Sequence, residues 1–281
     1  MTKGFLVIAQ NSDVNYVDQA YALALSINAT QLAVKNISIV TNDPIPTEYL
    51  KVFDKVIKIP WNDNAANTKW KVENRWKLYH TSPYDETIVL DTDMLLLDDI
   101  SPWWEYCSNY DIKFCSNVMN HKLETINSDL IHRATFVENK LTNPYFALHY
   151  FKKSETAYEF YKTLEFITNN WELCYSKFAP IRWQNWLSMD LAAAIAIEML
   201  GLQYSAIDVC SPLTFVHMKP QVQGWTQTNA ESWTNAIPWN FNKRGQLYIG
   251  NIKQPAVFHY VDKCFITPTI LSTLEELSNG I

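Results

Sequence analysis

Apolar residues in the first hundred positions come in short runs, and each run ends in polar, turn-forming residues. GFLVIAQ (4–10) has the pattern of a buried strand, closed by Asn11, Ser12 and Asp13, which are turn and helix-cap types. YVDQAYALALSINA (16–29) then sets apolar side chains at helical spacing. NISIVTND (36–43) repeats the strand-then-turn pattern and is ended by Pro44 and Pro46, and VIKIP (56–60) is a third short strand. KWKVENRWKLY (69–79) predicts a helix ended by Ser82-Pro83, and ETIVLDTDMLLLDDI (86–100) returns to strand character.

Strands alternating with helices predict an α/β fold, with a Rossmann-like, mostly parallel central sheet flanked by helices. Ligands bind such sheets beyond the carboxyl ends of the strands, so Gln10-Asn11, Thr41-Asn42-Asp43 and Asp91-Asp93 should share one rim. Beyond Asp99 the pattern weakens. SPWWEYC predicts a short helix with Pro102 in its first turn, and DIKFCSNV predicts a strand. SETAYEFYKTLEFITNNW predicts an amphipathic helix capped by Ser154, and SMDLAAAIAIEMLG a helix from Ser188 to a stop at Gly201. Residues 218–254 are polar, aromatic and irregular, which predicts a long loop region over the site and an aromatic-rich C-terminal part.

The 281 residues, 48% of them hydrophobic, suffice for one large α/β domain or two small ones, and one domain with a decorated C-terminal part is the expectation. A formal charge of -6 gives no general attraction to a polyanion, which makes nucleic acid a minor candidate partner. Five widely spaced cysteines without a C-x-x-C pair suggest neither a disulfide framework nor a zinc knuckle. The apolar run in MTKGFLVIAQNS is too short for a signal peptide, and no 18-residue apolar segment follows, so the expectation is a cytoplasmic protein with no membrane span. Trp171, Trp183, Trp186, Trp225, Trp233 and Trp239 crowd the second half; such rings stack on sugars or simply fill a core.

None of the six glycines falls in a G-x-G-x-x-G or G-x-x-x-x-G-K-[ST] arrangement. Phosphates bound here would need a cation in place of a glycine cradle. Asp91 and Asp93, at i and i+2 where a strand ends, can face one hard divalent ion and leave its other positions to phosphate oxygens and water. A D-x-D is common by chance, but this one interrupts IVL and MLLL, where burial disfavours unpaired charge.

YDETIVLDTDMLLLDDIS resembles the D-x-D segment of GT-A glycosyltransferases, in the style of the glycogenin and bacterial galactosyltransferase branch, family 8-like. VIAQNSDVNYVDQAYALALSI is similar to that branch's first strand and nucleotide-binding loop; the resemblance covers residues 4–116 and is patchy beyond. The glycine-rich N-terminal motif of sugar nucleotidyltransferases is absent.

The resemblance implies a single GT-A domain, with residues 1–116 holding nucleotide-sugar and metal and 117–281 the acceptor. It implies a hexosyltransferase moving sugar from a nucleoside-diphosphate sugar, commonly UDP-hexose, to a carbohydrate or other hydroxyl-bearing acceptor, with Mn²⁺ or Mg²⁺. Gln10, Asn11, Tyr16 and Asp43 would hold the nucleoside; Arg75, with Lys77 as competitor, would meet the donor's charge; Asp91, Thr92 and Asp93 would form the metal and ribose site. A C-terminal histidine, followed shortly by a lysine that grips the diphosphate, would complete it. PAVFHYVDKCF offers His259 and Lys263, and LTFVHMKPQ offers His217 and Lys219; His259 is preferred for its place and the following Tyr260.

Asp190 would accept a bond from a sugar hydroxyl or act as base, with Asn143, Gln184 and Trp186 as further acceptor-side candidates and Tyr145 beside them. The glycogenin-like pattern suggests retention of anomeric configuration; Asp190 is the candidate base for inversion. Two other functions compete: a catalytically silent carbohydrate-binding protein on the same fold, and a glycosyltransferase acting on modified DNA bases.

Overall fold

A computed structural model describes residues 1–68, 71–126, 133–219 and 232–280. The strands are β1 Lys3–Ile8, β2 Ile37–Val40, β3 Lys55–Ile57, β4 Glu86–Leu90, β5 Met94–Leu96, β6 Ile112–Cys115, β7 Asn117–Met119, β8 Tyr145–Lys152, β9 Thr214–His217, β10 Trp239–Phe241, β11 Leu247–Ile249, β12 Ile252–Lys253 and β13 Val257–His259. The central sheet runs β3-β2-β1-β4-β8-β6. Its first four strands are parallel, and β8 lies antiparallel to both β4 and β6. A second sheet, β5-β13-β9-β7, begins immediately after the Asp91-Thr92-Asp93 turn.

Strand β1 shows why the runs are continuously apolar. Successive side chains point to opposite faces, and both faces are covered. Phe5 and Val7 join a cluster with Leu23, Ala24 and Ile27 of α1 (Tyr16–Thr30). Leu6 and Ile8 join another with Phe160 and Leu164 of the helix Glu155–Asn169 and Ala193 and Ile197 of the helix Met189–Leu200. Gly4 is needed for close approach: a Cβ there would lie 2.3 Å from the Tyr84 ring.

Local signals act as expected at several ends. Asn15 caps α1 by accepting from Val17 N–H and Asp18 N–H, and Ser154 accepts from Ala157 N–H. Gly201 ends its helix at φ +67°, a conformation glycine adopts freely. Ser188 takes the cap position, yet its side chain makes no capping bond.

Two expectations change, and a third change is a strand that the pattern did not mark. The 69–79 helix is only a 3₁₀ turn at Arg75–Lys77 running into a helix at Leu78–Thr81; Lys69 and Trp70 lie outside the described residues. Lys71 instead has φ +54°, and buried Asn74 donates to Gln10 Oε1 (3.0 Å) and Asp63 Oδ1 (2.6 Å), so tertiary bonds override helical propensity. The 218–254 loop holds a short helix at Trp233–Ala236 and the antiparallel sheet β10-β11-β12, while residues 220–231, with Trp225, lie outside the described residues. Buried Leu247 and Ile249 bring β11 into the core with Phe258. Strand β8, whose neighbours the sequence pattern did not reveal, is the third change.

Candidate active site

Parallel β1, β2 and β4 end on one edge, which gathers the loops that follow them. Asn11 N–H donates to the Asp43 carboxylate at 2.7 Å, tying two of these loops together, and Asn11 Oδ1 accepts from Val17 N–H (3.2 Å) at the start of α1. Asn11 and Asp43 thus brace the rim. Gln10 faces a cavity of about 150 Å³ whose lining includes Tyr16, Arg75, Asp91, Asp93, His259 and Lys263. Thr92 lines it as well and is buried.

The turn is fixed from both sides. Asp91 N–H donates to Ala147 O of β8 (3.0 Å), and the Asp93 carbonyl accepts from Tyr260 N–H (3.1 Å) just past β13. Antiparallel pairing sets His259 opposite Met94, and so places its ring beside the turn. Ligand atoms of Asp91, Asp93 and His259 all lie within 4.8 Å of one another, with His259 Nε2 3.0 Å from Asp93 Oδ2.

Each carboxylate also has a cation: Arg75 pairs with Asp91, and Lys263 with Asp93. Burial would raise the Asp93 carboxyl, but the charge and hydrogen bonds of His259 and Lys263 outweigh it and hold the group well below the usual carboxylate range. Lys263 Nζ also sits 5.2 Å from the centre of the Tyr16 ring. Two carboxylates and an imidazole are a donor set suited to Mn²⁺ or Mg²⁺, with the imidazole favouring Mn²⁺. The chemistry of these residues therefore fits a divalent ion.

The competitors sort by position. Lys77 turns from this cavity to donate to Asn62 O and to Asn64 Oδ1 (3.0 Å). His217 pairs in register with His259, its ring centre 4.7 Å away, but is not among the residues whose ligand atoms converge. Burial, then the nearby charges of His259, Lys219 and Arg133, push its pKa well below the usual range, so it stays neutral.

A larger cavity of about 500 Å³ adjoins the first and shares Arg75, Asp91 and His259 with it. Its far wall includes Asp190, Tyr145, Trp186, His217 and Lys219. Asp190 is held by two partners: Oδ1 accepts from Phe146 N–H (2.7 Å) and Oδ2 pairs with Arg133 Nη2 (2.7 Å). Gln184 and Trp186 line an adjoining space with Arg133 and Lys219. Asn143 lines none of these cavities and keeps a buried Oδ1 without a hydrogen-bond partner.

Sequence reasoning missed Arg133 and gave Lys219 a role only as the twin of Lys263. Arg133 is one of four arginines, its guanidinium 3.7 Å from the Tyr145 ring centre, and the scarcity that singled out Arg75 applied equally to it.

No family model matches the chain, and no curated protein matches it significantly. Solved structures do. The galactosyltransferase LgtC, in complex with donor and acceptor sugar analogs, matches with a TM-score of 0.52 and 12% identity over 99% of this chain and 96% of LgtC. Mouse xyloside xylosyltransferase 1 matches at 0.51 and 10% identity, over 92% of this chain and 97% of that one. GlyE of Streptococcus pneumoniae TIGR4 matches at 0.50 and 12% identity over 98% of this chain, which spans only 60% of GlyE. At such identities the likeness shows the fold: α/β, of the GT-A glycosyltransferase type. No helix among the described residues is long and apolar enough to cross a membrane.

Proposed function

We propose that the chain is a metal-dependent glycosyltransferase of the glycogenin and bacterial galactosyltransferase-like branch, taking a nucleoside-diphosphate sugar, UDP-hexose first among candidates. The observation that carries this reading is the convergence of Asp91, Asp93 and His259 at the carboxyl edge of the sheet, between two cations and beside a second, larger cavity.

Asp91, Asp93 and His259 would hold Mn²⁺ or Mg²⁺, which when bound supplies Lewis-acid stabilisation to the departing diphosphate. Arg75 and Lys263 lie where they can share that negative charge. Tyr16 offers a ring and Gln10 an amide for the nucleoside. On the acceptor side, Asp190 presents a carboxylate oriented by Arg133 and Phe146 N–H, suited to accepting a bond from a sugar hydroxyl. Trp186, 56% exposed, offers a stacking face beside it.

We read the chain as one domain whose residues 1–116 serve donor and metal and 117–281 the acceptor; the support is that β8 and β13 complete sheets begun in the first part. Its five free cysteines suit the reducing cytoplasm.

The test is a thermal-shift plate of nucleotides and nucleotide sugars with and without Mn²⁺, followed by turnover of the binders. A ligand that binds the native state raises the melting temperature by mass action. The expected result is a shift that needs both Mn²⁺ and a nucleoside diphosphate, with hydrolysis or transfer of the UDP-sugar lost in Asp93→Ala. Binding without turnover favours the silent carbohydrate binder, salt-dependent affinity for DNA carrying modified bases favours the DNA-modifying reading, and no shift with any nucleotide overturns the assignment.

A further inference from the structure

A separate cavity, of about 440 Å³, shares no lining residue with the three described above. It is walled by Trp61, Trp76, His80 and Tyr158, so the helical segment whose Arg75 pairs with Asp91 gives its next residues to this second space. Trp61 is 67% exposed, unusual for an indole, and its backbone has φ +58°, a strained conformation for any residue with a Cβ.

The platform is braced by its neighbours despite its exposure. Trp61 stacks on Trp76 with centroids 5.5 Å apart and planes 11° from parallel, and His80 sets its edge against both rings. The loop beneath is anchored where Lys77 donates to Asn62 O and Asn64 Oδ1, and where Asp63 accepts from Asn74 and Gln10. One buried polar atom in this wall lacks a partner: Trp76 Nε1 makes no hydrogen bond. A platform held in advance of binding loses little freedom when a ligand arrives.

The rim decides which ligand. Asn62, Asn64 and Asn169 offer amides, and Glu165 a carboxylate, the groups that bridge vicinal hydroxyls. Glu165 disfavours a phosphate, and Lys77 with Lys162 disfavours a quaternary ammonium that four aromatic rings could otherwise cage. What remains is a neutral ring with one apolar face and a polar edge. We propose that this cavity is a carbohydrate-binding site separate from the transferase site, taking a neutral pyranose unit stacked on Trp61.

The experiment is calorimetric titration of maltohexaose, cellohexaose and chitohexaose into the full chain, with UDP and Mn²⁺ present to occupy the donor site. Saturable binding of at least one hexaose is expected, weakened by roughly tenfold or more in Trp61→Ala and largely kept in Trp61→Phe. The same binding should persist in Asp93→Ala, so failure here and failure of the transferase reading are distinguishable. Trp61 is exposed, so its replacement should leave the melting temperature close to wild type, and Asn169→Ala gives a second, milder variant. The proposal is overturned if no hexaose binds, if Trp61→Ala binds as wild type does, or if Trp61→Ala instead abolishes a salt-dependent affinity for single-stranded DNA.

Discussion

His149→Gln probes how Phe146, in the wall of the larger cavity, is held. His149 lies on β8 with no solvent exposure, between Phe114, stacked at 5.0 Å, and Phe146, at 4.3 Å. Its Nδ1 donates to Phe146 O at 2.9 Å, which leaves Nε2 to accept from the Tyr161 hydroxyl at 2.6 Å. Phe146 is thereby gripped at both ends, since its N–H donates to Asp190. Burial, aided by the charge of Arg75 and opposed by the Phe146 carbonyl and Asp190, lowers the imidazole from 6.5 to about 3.

The native ring thus stays neutral over a range in which the unfolded chain takes up a proton. Stability is complete above the unfolded value and declines as pH falls toward the folded one. At about 1.36 kcal/mol per unit once the unfolded imidazole is largely protonated, the interval from about pH 6.5 to about pH 4.5 removes about 2 kcal/mol, against a typical total of about 5–15 kcal/mol.

Urea denaturation followed by far-UV circular dichroism, at steps across that interval, measures it in both proteins. Carboxylates contribute alike and cancel in the difference. The variant should lose about 1–2 kcal/mol at neutral pH through poorer hydrogen bonding, yet show a pH dependence shallower by about 2 kcal/mol over the interval. Parallel curves for the two proteins would refute the reasoning, because His149 would then titrate in the native state as it does in the unfolded chain.

Asp93→Ala should abolish the Mn²⁺-dependent thermal shift and lower UDP-sugar turnover by about two orders of magnitude or more, as single-turnover assays would show. His259→Gln should behave similarly in the thermal-shift assay, whereas His217→Gln should retain the Mn²⁺ response; the opposite ranking would exchange their roles. Arg133→Met should leave the nucleotide-dependent shift in place while lowering kcat, because it frees Asp190 without touching the cavity lined by Asp91 and Asp93; an equal loss of nucleotide binding would contradict this.

The parallel half of the fold was legible because buried parallel strands and their helices are local objects. GFLVIAQ, NISIVTND and VIKIP each became a strand, and the polar residues after the first two and after IVL do share one rim. What spacing alone could not show was pairing at long range. Strand β8 reads as an aromatic stretch until β4 and β6 flank it, and the partner of Asp190 comes from a separate segment, at Arg133. The 69–79 helix failed for a related reason: Asn74 is drawn into bonds with Gln10 and Asp63, distant in sequence, which a helical pattern does not record. His259 and His217 looked alike because they are alike, adjacent partners in parallel strands, and only the Asp93 turn beside one of them separates the two.

The placement of β13 has a consequence for biosynthesis. Asp93 and Lys263 are 170 residues apart, and β5 and β7 have no partner strand until β9 and β13 have left the ribosome. At about 5–20 residues per second, the nascent chain carries Asp93 without its cation, and open strand edges, for roughly ten seconds or more. A truncation that removes the last thirty residues should therefore yield an aggregation-prone product, because the missing strand is the keystone on which the earlier segments close.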